Sequence, residues 1–208
     1  MEKFIVVNQP ETWNLALEKV QIISAHSYLT NPEYAKIKKA RIFNLCKDYS
    51  YQSRGYYVSL LAEARGHLAI PTVTNLVDLR EPKLVKIVSE EFDDLIQKSL
   101  KNIKSQEFTL SIYFGQNVAQ KYRELSAMLH KHFQIPFLRV KCNFTTKLNL
   151  QNIKANSEDG KPEENKENKR VFAVQYVAKQ SDDTPSLAKT DSDKASRGNH
   201  EDPDAPST

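Results

Sequence analysis

Side chains capable of chemistry concentrate between Lys47 and Gly55. Asp48, Tyr49, Ser50, Tyr51, Gln52 and Ser53 place six polar or phenolic groups in succession, and Arg54 and Gly55 follow. Hydroxyls beside a guanidinium, where a loop enters a helix, suit an anion or a carboxylate. The first helical turn leaves backbone N–H groups unpaired and carries partial positive charge. Gly55 would let a ligand or another backbone come close. The plainer alternative is that Ser53 caps the helix and the tyrosines pack. No Walker-type or dinucleotide-type glycine pattern accompanies the loop.

The flanking sequence says what holds this loop. Arg41-Ile42-Phe43-Asn44-Leu45-Cys46 is short, apolar and rich in strand formers, which predicts a buried strand. From Arg54 onward, Tyr57, Leu60, Leu61 and Ala64 fall at i, i+3, i+4 and i+7 and predict a buried helical stripe. Gly66 stands where a left-handed glycine would close that helix. Ligands of open α/β sheets sit at the carboxyl ends of strands. The candidate ligand-binding set is therefore Arg41, Asn44, Tyr49, Ser50, Tyr51, Gln52, Ser53, Arg54 and Gly55, with Arg65 and His67 close in sequence. Arg65 and His67 could equally serve the last carbonyls of the helix. Tyr56 and Tyr57 read as core or core edge.

Composition narrows the function classes. Residues 1–155 carry 22 Lys and Arg against 14 Asp and Glu, a net of +8, whereas residues 156–208 carry 8 against 12, a net of −4. The expectation is one globular basic domain over 1–155 and an acidic, mostly disordered tail over 156–208. The basic surplus is scattered, which reads as a solvated surface rather than a nucleic-acid footprint. Cys46 and Cys142 lie in separate apolar contexts, with no CxxC and no Cys/His cluster. No metal and no cofactor is expected, and both thiols read as small buried hydrophobes in a reducing compartment. The apolar run Phe4–Val7 is too short for a signal peptide, and no run approaches the ~20 residues of a membrane helix. The expected location is the cytoplasm, without membrane contact.

In chain order, Lys3–Val7 and Val20–Ile23 read as strands, Ser27–Pro32 as a turn, and Pro32–Ala40 as a short helix with Asn31 as its cap. Ala69–Asn75 reads as extended or loop, with Pro71 against a central strand. Glu81-Pro82 opens a helical stretch that divides in two near Ser89. Phe108–Phe114 alternates as a half-buried strand, Val118–Phe133 reads as a helix, and 137–142 with 148–153 as a hairpin around Phe144-Thr145-Thr146. His130 and His132 are two apart and cannot share a helix face. Arg170–Val177 is an apolar island that could add an edge strand or dock on a partner. Together these predict an α/β or α+β fold, a single domain with a central mixed sheet flanked by helices.

Several contiguous runs carry a family resemblance: Tyr28-Leu29-Thr30, Ala40–Cys46, Tyr49–Ser53, Gly55–His67, Ser89-Glu90, Ile96–Leu100 and Glu107–Gly115. Over roughly residues 3–153 the chain resembles the RimK-like ATP-grasp N-terminal domain family. That resemblance implies an α+β domain, commonly fused ahead of a RimK-like ATP-grasp ligase and associated with making or tagging peptides. It supplies no catalytic residue to carry over. Nothing after residue 155 resembles an ATP-grasp fold, so ligase activity is not expected of this chain alone.

The leading expectation is thus a non-catalytic accessory or binding domain. Its partner would be a separate ATP-grasp ligase subunit, or a peptide or amino-acid ligand. A small-ligand enzyme domain using loop 49–55 is the alternative. It would need a nucleophile and base from Ser50, Ser53, Cys46 or the tyrosines with His26 or His67, and no triad-type signature supports that. An RNA- or ribosome-associated role is a further alternative without a recognisable motif.

Overall fold

The computed structural model describes residues 1–13, 19–103, 105–144, 148–155 and 163–180. Strand β1 (Glu2–Val7) lies between β2 (Gln21–Ser24) and β3 (Ala40–Asn44), and β4 (Leu68–Ile70) pairs with the far side of β3. All pairings in this sheet are parallel, in the order β2-β1-β3-β4. A parallel sheet needs cover on both faces, so its strands read as continuous apolar runs. In β1, Phe4 and Val6 join one buried cluster while Ile5 and Val7 join another. β3 divides likewise, Ile42 to the first and Phe43 to the second.

Helices α1 (Ala25–Thr30), α2 (Glu33–Lys36) and α3 (Arg54–Ala64) belong to the connections between the parallel strands. The expected turn at Ser27–Pro32 is in fact mostly α1. Ser24 caps it by accepting from Ser27 N–H at 2.9 Å, and Tyr28 is buried in the core. Asn31 accepts from Glu33 N–H at 3.0 Å, the capping role expected of it, though α2 spans only Glu33–Lys36. β4 is an edge strand followed by a cis Ile70–Pro71 bond, where a proline costs the ladder nothing.

Helices α4 (Val73–Asp78), α5 (Pro82–Glu91) and α6 (Asp93–Leu100) lead to a second, antiparallel sheet. Its strands are β5 (Glu107–Tyr113), β6 (Phe137–Phe144) and β7 (Leu148–Ala155), in that order. The break between α5 and α6 falls at Phe92 rather than Ser89. Ser89 lies inside α5 and its hydroxyl meets Leu150 N–H at 3.4 Å. Helix α7 (Arg123–Phe133) starts later than the sequence suggests, because a 3-10 turn at Gln120–Tyr122 precedes it and Val118 is exposed. The α/β class and its flanking helices are as expected, with the parallel and antiparallel pairings in separate sheets.

Helix α8 (Glu163–Lys179) contains the apolar island, which is helical rather than extended. Ala173 and Val177 are fully buried with Ile5, Val7 and Phe43 on the second face of the parallel sheet. Phe172 stacks on Tyr113 (5.4 Å) and Tyr176 on Phe114 (4.4 Å). The sequence reading closed the domain at residue 155, and α8 extends the buried core beyond that boundary. Residues 145–147 of the hairpin turn, and 156–162 and 181–208 of the expected disordered tail, lie outside the described residues. Among the described residues no helix is long and apolar enough to cross a membrane.

A candidate ligand cleft at the carboxyl edge of the parallel sheet

The loop after β3 is built around Asn44, whose side chain is completely buried. Its Nδ2 donates to the Gly55 carbonyl (2.7 Å) and the Ser59 hydroxyl (2.9 Å), and its Oδ1 accepts from Cys46 N–H at 3.3 Å. Ser59 donates onward to the Pro71 carbonyl at 2.7 Å, so one amide links β3, α3 and the turn after β4. Tyr49 is buried and donates from its hydroxyl to the Asn44 carbonyl at 2.7 Å. Burial holds its phenol well above the ordinary range. A Cβ on Gly55 would lie 2.2 Å from the Asp48 carbonyl oxygen, so glycine is what lets α3 start against this loop.

The polar tip of the loop is largely occupied by its own contacts. Ser50 donates from N–H (2.7 Å) and Oγ (2.5 Å) to the Asp48 carboxylate. Ser53 is the α3 cap: its Oγ accepts from Tyr56 N–H at 3.2 Å and donates to the Asp48 carbonyl at 2.9 Å. Arg80 reaches over from the end of α4 and donates to the Tyr49 carbonyl at 2.5 Å. Lys47 N–H donates to Asn8 Oδ1 at 2.7 Å, fixing the loop to the end of β1.

Between this loop, the α4–α5 corner and β7 lies a cavity of about 470 Å³. The buried side chains of Leu76, Val85 and Ile153 line its apolar part. Lys47, Arg80 and Lys154 supply cations against the single carboxylate of Asp48, with Ser50 and Asn152 as neutral polar groups. An apolar floor under a cationic rim suits a ligand with an apolar body and an anionic head, such as a carboxylate. The position obeys the rule for parallel sheets, outside the carboxyl ends of the strands.

The expected site residues scatter over four places. Tyr49 and Ser50 line the cavity. Asn44, Ser53 and Gly55 build the loop behind it, while Tyr51, Gln52 and Arg54 are exposed at its outer side, Gln52 in the left-handed region (φ 66°). Arg41, Arg65 and His67 lie at the opposite edge of the sheet. Arg41 pairs with the side chain of Gln180 beyond α8. Arg65 donates to the Tyr28 carbonyl (2.8 Å) and lies 4.8 Å over its ring. His67 is 4% exposed, held between the Tyr28 hydroxyl and the Ile37 carbonyl at 2.9 Å each. Cys46 is buried and its thiol is pushed up to about 12, so it is no thiolate at neutral pH. Arg80, Lys154 and Asn152 escaped the sequence reading. They come from distant segments and carry no local signal of their own.

Fold and cleft define a mixed α/β domain with a ligand-sized cavity at the carboxyl edge of its parallel sheet. The family model of the RimK-like ATP-grasp N-terminal domain matches residues 25–172, and the chain belongs to that family. No curated protein matches the sequence. Among solved structures it is similar to a D-alanine–D-alanine ligase from Bacillus anthracis complexed with ATP, at 10% identity and a TM-score of 0.45, covering 87% of this chain and 100% of that one. A second structure of D-alanine–D-alanine ligase from Bacillus anthracis matches at 10% identity and a TM-score of 0.44, covering 87% and 99%.

Proposed function

We propose that this RimK-like ligase-related domain is a non-catalytic binding module. It holds the carboxylate of an amino acid or short peptide in the cleft, in the service of an ATP-grasp ligase on a separate subunit. The observation that carries the reading is the cationic rim of Arg80 and Lys154 over the buried floor of Leu76, Val85 and Ile153. A charge-assisted contact to such a rim contributes roughly 1.5–3 kcal/mol where it is partly shielded from water. Titration calorimetry with short apolar peptides tests it, each supplied with a free and with an amidated C-terminus. Free peptides should bind at least about tenfold more tightly, and Lys154→Ala, an exposed position, should remove most of that difference. Equal binding of both forms would refute the reading.

A further inference from the structure

Strand β7 is the outer strand of the antiparallel sheet, paired with β6 along one side only. In such a strand alternate backbone N–H and C=O groups turn away from the single partner and stay open unless something covers them. Along its first half β7 is covered by α5, where the Leu150 N–H donates to the Ser89 hydroxyl at 3.4 Å. The pairing with β6 then shifts, from Leu150 opposite Cys142 to Asn152 opposite Lys141, which leaves Gln151 as the extra residue of a bulge. A bulge bends and twists the strand that carries it. Beyond it, residues 152–155 border the cleft, and the part of α5 that lines the same space is its start, at Pro82 and Val85. Helix and strand have parted there. Among the described residues no hydrogen bond reaches the outer edge of 152–155.

We propose that the cleft takes its ligand as an added strand: an extended peptide pairs main chain to main chain with the outer edge of residues 152–155 and ends in a carboxylate at the Arg80 and Lys154 rim. This rests on the carboxylate reading of the cleft and narrows its ligand to a peptide, as against a free amino acid. A cationic rim needs only a carboxylate. Open amides and carbonyls in a row need partners at the same spacing, and a peptide brings both. Residues 152–155 present an edge of about 10 Å, the length of a tripeptide, and a cavity of about 470 Å³ lies in the lower part of the usual ligand range. Edge pairing supplies affinity whatever the peptide sequence, while side chains on one face of the added strand meet Leu76 and Val85, which favour apolar ones. A second copy of the chain is the other natural occupant of a strand edge. Here the loop at 47–50 and the α4–α5 corner wall the edge in, so a chain end fits and the side of another sheet does not.

Titration calorimetry on the full chain tests this with leucyl-alanyl-leucine, its two singly N-methylated forms, and octanoate, which has a carboxylate and an apolar body without amides. The tripeptide should bind at least about tenfold more tightly than octanoate. Successive amides of a strand face opposite sides. Methylating one of the tripeptide's amides should therefore weaken binding at least about tenfold, and methylating the other less than about twofold. Hydrogen exchange should slow at alternate amides of residues 152–155 when the tripeptide is bound. Octanoate binding as well as the tripeptide, or equal effects of the two methyl groups, would overturn strand addition and leave the cationic cleft standing. Binding of neither ligand would overturn the cleft reading, and this one with it. Self-association of the protein that the tripeptide reverses would assign the edge to a second copy and overturn the proposal.

Discussion

Replacing Gly55 with alanine isolates the contact that shapes the cleft wall. The added methyl would sit 2.2 Å from the Asp48 carbonyl oxygen, 2.9 Å from Cys46 Cβ and 3.1 Å from Tyr49 Cδ1. The first neighbour is backbone in a loop pinned at both ends, so α3 or the loop must retreat by roughly 1 Å before contact becomes tolerable. Overpacking of this kind costs about 1–3 kcal/mol. The retreat also lengthens the buried bond from Asn44 Nδ2 to the Gly55 carbonyl, 2.7 Å in the native fold. A buried amide left poorly paired adds about 1–3 kcal/mol. The total of about 2–6 kcal/mol is a large share of a typical domain's stability. Urea unfolding followed by circular dichroism reads it, with Gly66→Ala as the comparator. At Gly66 a Cβ meets nothing within 4 Å, and only the left-handed backbone (φ +73°) is strained. That comparator should lose only about 1–2 kcal/mol. A Gly55→Ala protein within 1 kcal/mol of the parent, or a larger loss at Gly66, would refute the steric argument.

Four other outcomes follow from the same structure. His130 is held by the Ile135 carbonyl (3.1 Å), and burial keeps its pKa below the ordinary 6.5. The unfolded chain therefore takes up this proton first, so stability present above 6.5 should fall as the pH drops below it, and His130→Gln should flatten that part of the urea midpoint profile. Burial pushes both Cys46 and Cys142 thiols up to about 12, so a thiol reagent at pH 8 should label neither in the native protein and both after denaturation. Val177 is fully buried in α8 against the parallel sheet, so Val177→Asp should cost about 3 kcal/mol or more, measured by thermal unfolding. A chain ending at residue 162 should expose the Ile5, Val7 and Phe43 face and aggregate.

Local signals made much of the fold legible. The apolar run at Ile42 and Phe43, the Asn31 cap, the Ser53 cap and the glycine at Gly66 are decided within a few residues of chain, and each appears as read. Gly66 N–H bonds the Glu63 carbonyl (3.0 Å) and His67 N–H the Ala62 carbonyl (2.8 Å), the paired closure expected at a C′ glycine. Periodicity failed on α3 for a physical reason: Val58 and Ala62 on one side compete with Tyr57, Leu60 and Ala64 on the other, and pattern alone cannot say which side meets the sheet. The site set misled through sequence proximity. Helix α3 runs back along β3, so Arg65 and His67 return to the end where β3 begins, far from Ser50. Arg80 and Lys154 reach the cleft only through tertiary structure. The α8 island, rich in valine and aromatics, reads as a strand in isolation and is helical against the parallel sheet.

The most direct test of the cleft is an amide chemical-shift titration of the full chain with a short apolar peptide bearing a free carboxylate. Saturable shifts clustered at residues 47–50, 79–82 and 152–155, and absent with the C-terminally amidated peptide, are the predicted result. Shifts confined to the exposed tip at 51–54, or the same shifts with both peptides, would contradict a carboxylate held between Arg80 and Lys154.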